Sequence, residues 1–99
     1  RRTKGVESPQ YATGLSNLAF IHETLGKYNE AEELMQEVIE IKKKTNGPEH
    51  PEYAIALNNL ALIYYRIGRY EEAEPLYTEA LNIQKKALST LSFIRRLRV

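Results

Sequence analysis

The 99-residue sequence has no cysteine, no tryptophan and one methionine. Without cysteine there are no disulfides and no thiolate metal sites, so the fold rests on burial and hydrogen bonding alone. No apolar run is long enough to span a bilayer or to act as a secretory leader, which predicts a soluble chain in a cytoplasmic setting. Charge of one sign is also missing: 14 basic and 13 acidic side chains give a net charge of +1. No global field therefore draws in nucleic acid or anionic membrane, and a partner must be recognised locally. The only two histidines, His22 and His50, lack the paired spacing of a metal site, and no phosphate-binding glycine loop or nucleophile elbow is present. These absences argue against an enzyme, a resident metal or a cofactor.

What is present is a repeat. Shifting the sequence by 42 positions lays 5–46 on 47–88 without a gap and gives about 20 identical pairs. Gly5 falls on Gly47, Pro9 on Pro51, Tyr11-Ala12 on Tyr53-Ala54, and Asn17-Leu18-Ala19 on Asn59-Leu60-Ala61. In the second half Gly26 falls on Gly68, Tyr28 on Tyr70, Ala31 on Ala73, Leu34 on Leu76 and Ile41 on Ile83. With 42% hydrophobic and 27% charged residues the copies have the composition of folded, not disordered, chain.

Each copy reads as two helices. Pro9 after Ser8 and Pro51 after His50 mark starts, because the first helical position needs no N–H. Gly26 and Gly68 mark stops. The apolar residues Tyr53, Leu57, Leu60, Tyr64 and Ile67 step by four and three along one face of a helix of about 17 residues. Tyr70, Ala73, Leu76, Tyr77, Ala80 and Ile83 do the same on the next. Links of one to three residues make consecutive helices antiparallel neighbours, with Ala19 against Ala31 and Ala61 against Ala73 as the closest backbone approaches.

The pattern Leu57-x-x-Leu60-Ala61-x-x-Tyr64, Gly68-x-Tyr70, Ala73-x-x-x-Tyr77-x-x-Ala80 resembles the tetratricopeptide repeat, and Leu15, Leu18, Ala19, His22, Gly26, Tyr28, Ala31, Met35 and Val38 fit it in the first copy. The connector Gly47-Pro48-Glu49-His50-Pro51, the run Leu57-Asn58-Asn59-Leu60-Ala61 and Tyr70-Glu71-Glu72-Ala73-Glu74-Pro75-Leu76-Tyr77 resemble the kinesin-light-chain type of this repeat. The resemblance implies an all-α fold: a right-handed α-solenoid of antiparallel helix pairs, with two full repeats and a C-terminal helical segment. The sequence departs from the family pattern in having no tryptophan, in placing His22 where the second copy has Tyr64, and in lacking the closing proline.

Residues 1–4 align with the end of a second helix, so the predicted organisation is the end of a preceding repeat (1–4), repeat 1 (5–46), repeat 2 (47–88) and a C-terminal cap or tail (89–99). With no proline or glycine after Leu88, the last helix is free to run on. Two repeats leave apolar end faces uncovered, which predicts self-association or end-to-end stacking.

Positions identical in both copies serve the repeat, while those that differ are free to serve recognition. In the first helices the differing pairs Thr13/Ile55, Ser16/Asn58, Phe20/Leu62, Glu23/Tyr65 and Thr24/Arg66 form one stripe, expected to lie opposite the core. In the resembled family the first helices line a concave groove that binds extended peptides, and the stripe falls on the corresponding positions. Phe20, Leu62 and Tyr65 would give apolar contact, and Ser16, Asn58, Glu23, Thr24 and Arg66 polar register. The competing reading is a solvated face whose apolar members touch neighbouring repeats. Asn17 and Asn59, poor helix formers at the stripe's margin, bond either a partner's backbone or an adjacent helix. Glu30, Glu32 and Glu33 at one start, and Lys42, Lys43 and Lys44 at its end, suit the helix dipole. The leading expectation is a protein-interaction scaffold for a peptide or partner protein; the alternatives are a structural self-assembly module and a regulatory arm of a larger multidomain protein.

Overall fold

The computed structural model describes residues 8–97 as four helices: α1 (Pro9–Thr24), α2 (Tyr28–Thr45), α3 (Pro51–Arg66) and α4 (Tyr70–Leu97). The expected repeat remnant at 1–4, Gly5 and the terminal Arg98 and Val99 lie outside the described residues.

The helix boundaries have local causes. Ser8 caps α1 by accepting a hydrogen bond from the Tyr11 amide at 3.1 Å, and His50 caps α3 through Nδ1, which accepts from the Glu52 amide at 3.0 Å. Proline follows each cap at the first position. Both hairpin turns close alike: Gly26 N–H donates to Glu23 and Lys27 N–H to His22, as Gly68 donates to Tyr65 and Arg69 to Tyr64. This six-to-one, five-to-two pattern needs a left-handed residue at the glycine, and Gly26 and Gly68 have φ of 81° and 84°. The chain reverses within three residues at each turn, so α1 packs on α2, and α3 on α4, as antiparallel pairs.

One cluster joins the pairs: Ala12, Leu15 and Ala19 of α1, Ala31, Met35, Val38 and Ile41 of α2, Ala56, Leu60, Ala61, Ile63 and Tyr64 of α3, and Ala73 of α4. The four alanines assigned to the seams, Ala19, Ala31, Ala61 and Ala73, are all buried in it. A second cluster of Tyr53, Ala54, Leu57, Ala80 and Ile83 fills the α3–α4 hairpin, and Ile39 of α2 packs against both. The periodic apolar positions of α3 are buried as expected, but Tyr70 is exposed and meets Tyr65 edge-on at 5.3 Å. As the first residue of α4 it precedes the turn that α3 covers.

Between the repeats, polar groups reinforce the apolar contact. The Tyr64 hydroxyl donates to Glu32 Oε2 at 2.7 Å, and Arg69 Nη1 reaches Glu32 Oε1 at 3.4 Å. Arg69 also lies 4.6 Å above the Tyr64 ring and holds Glu72 in a two-pronged bond of 2.5 and 2.7 Å. Lys42 pairs with Glu52 at 3.3 Å across the same junction. Glu32, which the sequence offers only as dipole support, is thus also the acceptor that ties one repeat to the next. Burial and the bond to Glu32 push the Tyr64 hydroxyl above its ordinary pKa, whereas the bonds from Arg69 hold the Glu72 carboxyl below its own.

α4 accommodates Pro75 in its second turn and continues unbroken past Leu88 to Leu97. Among the described residues no helix is long and apolar enough to cross a membrane.

Candidate functional site

α1 and α3 open the two repeats, run the same way, and carry the positions at which the copies differ. Where they lie side by side over α2, a cleft of about 230 Å³ opens. Ala19, Met35 and Ile63, all buried, form its floor. Ser16, Phe20 and Glu23 of α1 line it from one side, and Asn59, Leu62 and Arg66 of α3 from the other. Half of the expected groove residues therefore converge on one concavity.

They do not stand wholly opposite the core, as the helical stripe implied. Ser16, Glu23, Asn59 and Leu62 are half-buried, because each helix has a neighbour on its flank as well as beneath it. Glu23 and Arg66 are not two independent polar contacts either. Arg66 Nε meets Glu23 Oε2 in an ion pair that bridges the repeats, with the glutamate side chain 13% exposed and the arginine 50%. Breaking such a pair on one side strands a largely desolvated charge.

The remaining six lie elsewhere. Thr13 and Asn17 line a separate shallow depression on α1 with Pro9, Gln10 and Gly14. Thr24 is exposed, and its hydroxyl donates back to the Phe20 carbonyl at 2.9 Å, so it serves the helix end. Ile55, Asn58 and Tyr65 are exposed outside the cleft, Tyr65 being engaged with Tyr70. The two equivalent asparagines part company: Asn59 faces the cleft and Asn17 does not. The residues that sequence reasoning missed are Ala19, Met35 and Ile63. Their signal was that of ordinary core, and only the spacing of α1 and α3 exposes them as a floor.

The family of the tetratricopeptide repeat matches residues 10–86. Among solved structures, BtubC (BKLC) from P. vanneervenii is 31% identical with a TM-score of 0.79, over 81% of this chain and 32% of that one. A Podosopora anserina protein described as having kinesin light chain "nearly identical TPR-like repeats" is 30% identical with a TM-score of 0.72, over 88% of this chain and 40% of its own. A variant of that protein gives 29% identity and a TM-score of 0.73, over 90% and 41%. This chain thus spans less than half the length of each. No curated protein sequence shows significant similarity to it.

Proposed function

The chain belongs to the tetratricopeptide repeat family, whose members are in general protein–protein interaction modules, and from that premise we propose that it binds an extended peptide segment of a partner in the cleft between α1 and α3. The observation that carries this reading is the cleft's make-up: a buried apolar floor, Phe20 and Leu62 on opposite walls, and Ser16, Asn59 and the Glu23–Arg66 pair at its margins. Apolar lining with a few polar groups suits one anchoring side chain and the backbone beside it. At about 230 Å³ the cleft is smaller than the roughly 300–1,000 Å³ typical of small-molecule sites, which favours a peptide side chain over a free metabolite. Asn59 supplies an amide suited to a peptide backbone, since among the described residues its side chain makes no bond to a neighbouring helix.

The test is a peptide selected against the 99-residue chain by array or display, with affinity measured for variants. Asn59→Ala is expected to weaken binding by about fivefold, the loss of roughly one hydrogen bond. Leu62→Ala is expected to weaken it further, while helix content stays at the parent level. Selected peptides that bind both variants as tightly as the parent would remove the cleft from consideration. Tyr65→Ala, outside the cleft, is expected to leave affinity unchanged.

A further inference from the structure

The Glu23–Arg66 pair at one end of the cleft is unevenly built. Glu23 is the inner member: its side chain is 13% exposed, and its Oε2 atom is buried and accepts no hydrogen bond among the described residues. Arg66 Nε lies against that oxygen as a countercharge without the alignment of a hydrogen bond, and the arginine side chain is 50% exposed. A buried acceptor without a donor costs free energy that a bound group able to donate would recover. The arginine offsets little of that cost, since an ion pair open to water is weak. The rest of the cleft is graded. Ser16 and Asn59 stand seven residues before Glu23 and Arg66 on their helices, which sets the two polar ends roughly 10 Å apart at 1.5 Å per residue. Between those ends Phe20 and Leu62 wall the cleft over Met35.

On the reading that peptides bind in this cleft, on which the assignment depends, we infer that the anchoring residue of the bound peptide is basic, a lysine or arginine whose stem lies between Phe20 and Leu62 and whose cation takes the place of Arg66 on Glu23. A depression that is polar and uncharged at one end, apolar along its middle and closed by a desolvated carboxylate matches a side chain that is apolar in its stem and cationic at its tip. An apolar anchor would fill the middle and leave Glu23 Oε2 without its donor. An acidic anchor would bring a second carboxylate against the first. Arg66 is then an internal occupant: it covers Glu23 in the free protein and swings out to solvent when the cation of the peptide arrives. The exchange replaces a half-exposed ion pair by one enclosed in the cleft, where water screens it less.

A random-sequence peptide library panned against the 99-residue chain tests this, with loss of binding to Leu62→Ala marking the selected peptides that occupy the cleft. Those peptides are expected to share one lysine or arginine. Its replacement by norleucine, which keeps an apolar stem and lacks the cation, is expected to weaken binding at least ~10-fold, the loss of a charge-assisted hydrogen bond. Glu23→Gln in the protein is expected to weaken it by a similar factor. Arg66→Ala is expected to tighten it by about 2- to 5-fold, because the competing half-exposed cation is gone. Far-ultraviolet dichroism checks that the variants keep the helix content of the parent, and the norleucine peptide leaves the protein unchanged. Cleft peptides with an apolar or acidic anchor that bind Glu23→Gln as tightly as the parent would overturn the assignment and leave the cleft as the peptide site. A pool that Leu62→Ala never weakens would remove the cleft itself, and the basic anchor with it.

Discussion

At the scale of single residues, Tyr64 and Glu32 show how one atom decides between a helical-repeat face and a repeat junction. The hydroxyl reaches a carboxylate whose side chain is 18% exposed, so its removal costs a charge-assisted bond and leaves the acceptor poorly solvated. Tyr64→Phe is expected to lower unfolding free energy by about 1.5–3 kcal/mol in urea melts at neutral pH. The same bond gives a pH signature. Because burial and Glu32 raise the folded-state pKa of Tyr64 above 10.0, its contribution is fully present below that pH and is lost as pH rises through the raised value. Stability of the parent is therefore expected to fall above about pH 10, and less steeply in Tyr64→Phe, with Tyr53 as the residual source because burial raises its pKa too. Equal alkaline slopes in parent and variant would count against the assignment. Gly68 offers a second single-residue test. A Cβ there would meet nothing within 4 Å, so the cost of Gly68→Ala is that of a left-handed backbone alone, about 1–2 kcal/mol in the same melts.

At the scale of helices, the close approach of paired helices rests on small side chains. Ala61 and Ala73 are 0% and 2% exposed in the shared cluster, and Ala61→Leu is expected to overpack the seam by about 1–3 kcal/mol, read as a lowered melting temperature. This much was legible beforehand, because prolines, glycines and a 42-residue period punctuate the chain where helices begin, end and recur. Other features were not, and the reason is geometric. A helical wheel treats one helix at a time, so it places Ser16, Glu23 and Leu62 on an outward stripe and Asn59 at its margin. The lateral contact of α1 with its counterpart α3 turned that stripe's edge into a cleft and let Glu23 find Arg66. Identity between copies also conceals position in the stack: Ile21 and Ile63 are the same residue at equivalent sites, one half-exposed and the other fully buried, because only the second has a preceding repeat within the described residues.

At the scale of the molecule, the chain is a flattened slab of 50 × 37 × 17 Å whose length owes much to α4. With 28 residues against 16 in α3, α4 outruns its partner by roughly 18 Å. Every residue from Leu88 to Leu97 is exposed, including Leu88, Leu91, Phe93, Ile94 and Leu97, with Arg95 and Arg96 among them. A cap at the end of a stack works by folding a polar-backed surface over the last apolar face, and that requires side chains that lose contact with water. These do not, so they add helix but little core. Removing residues 90–99 is accordingly expected to reduce the helical dichroism signal while leaving the urea-unfolding free energy within about 0.5 kcal/mol of the parent. A truncated chain destabilised by more than about 1 kcal/mol would mean instead that the extension folds back over the α3–α4 hairpin in solution and buries apolar surface there.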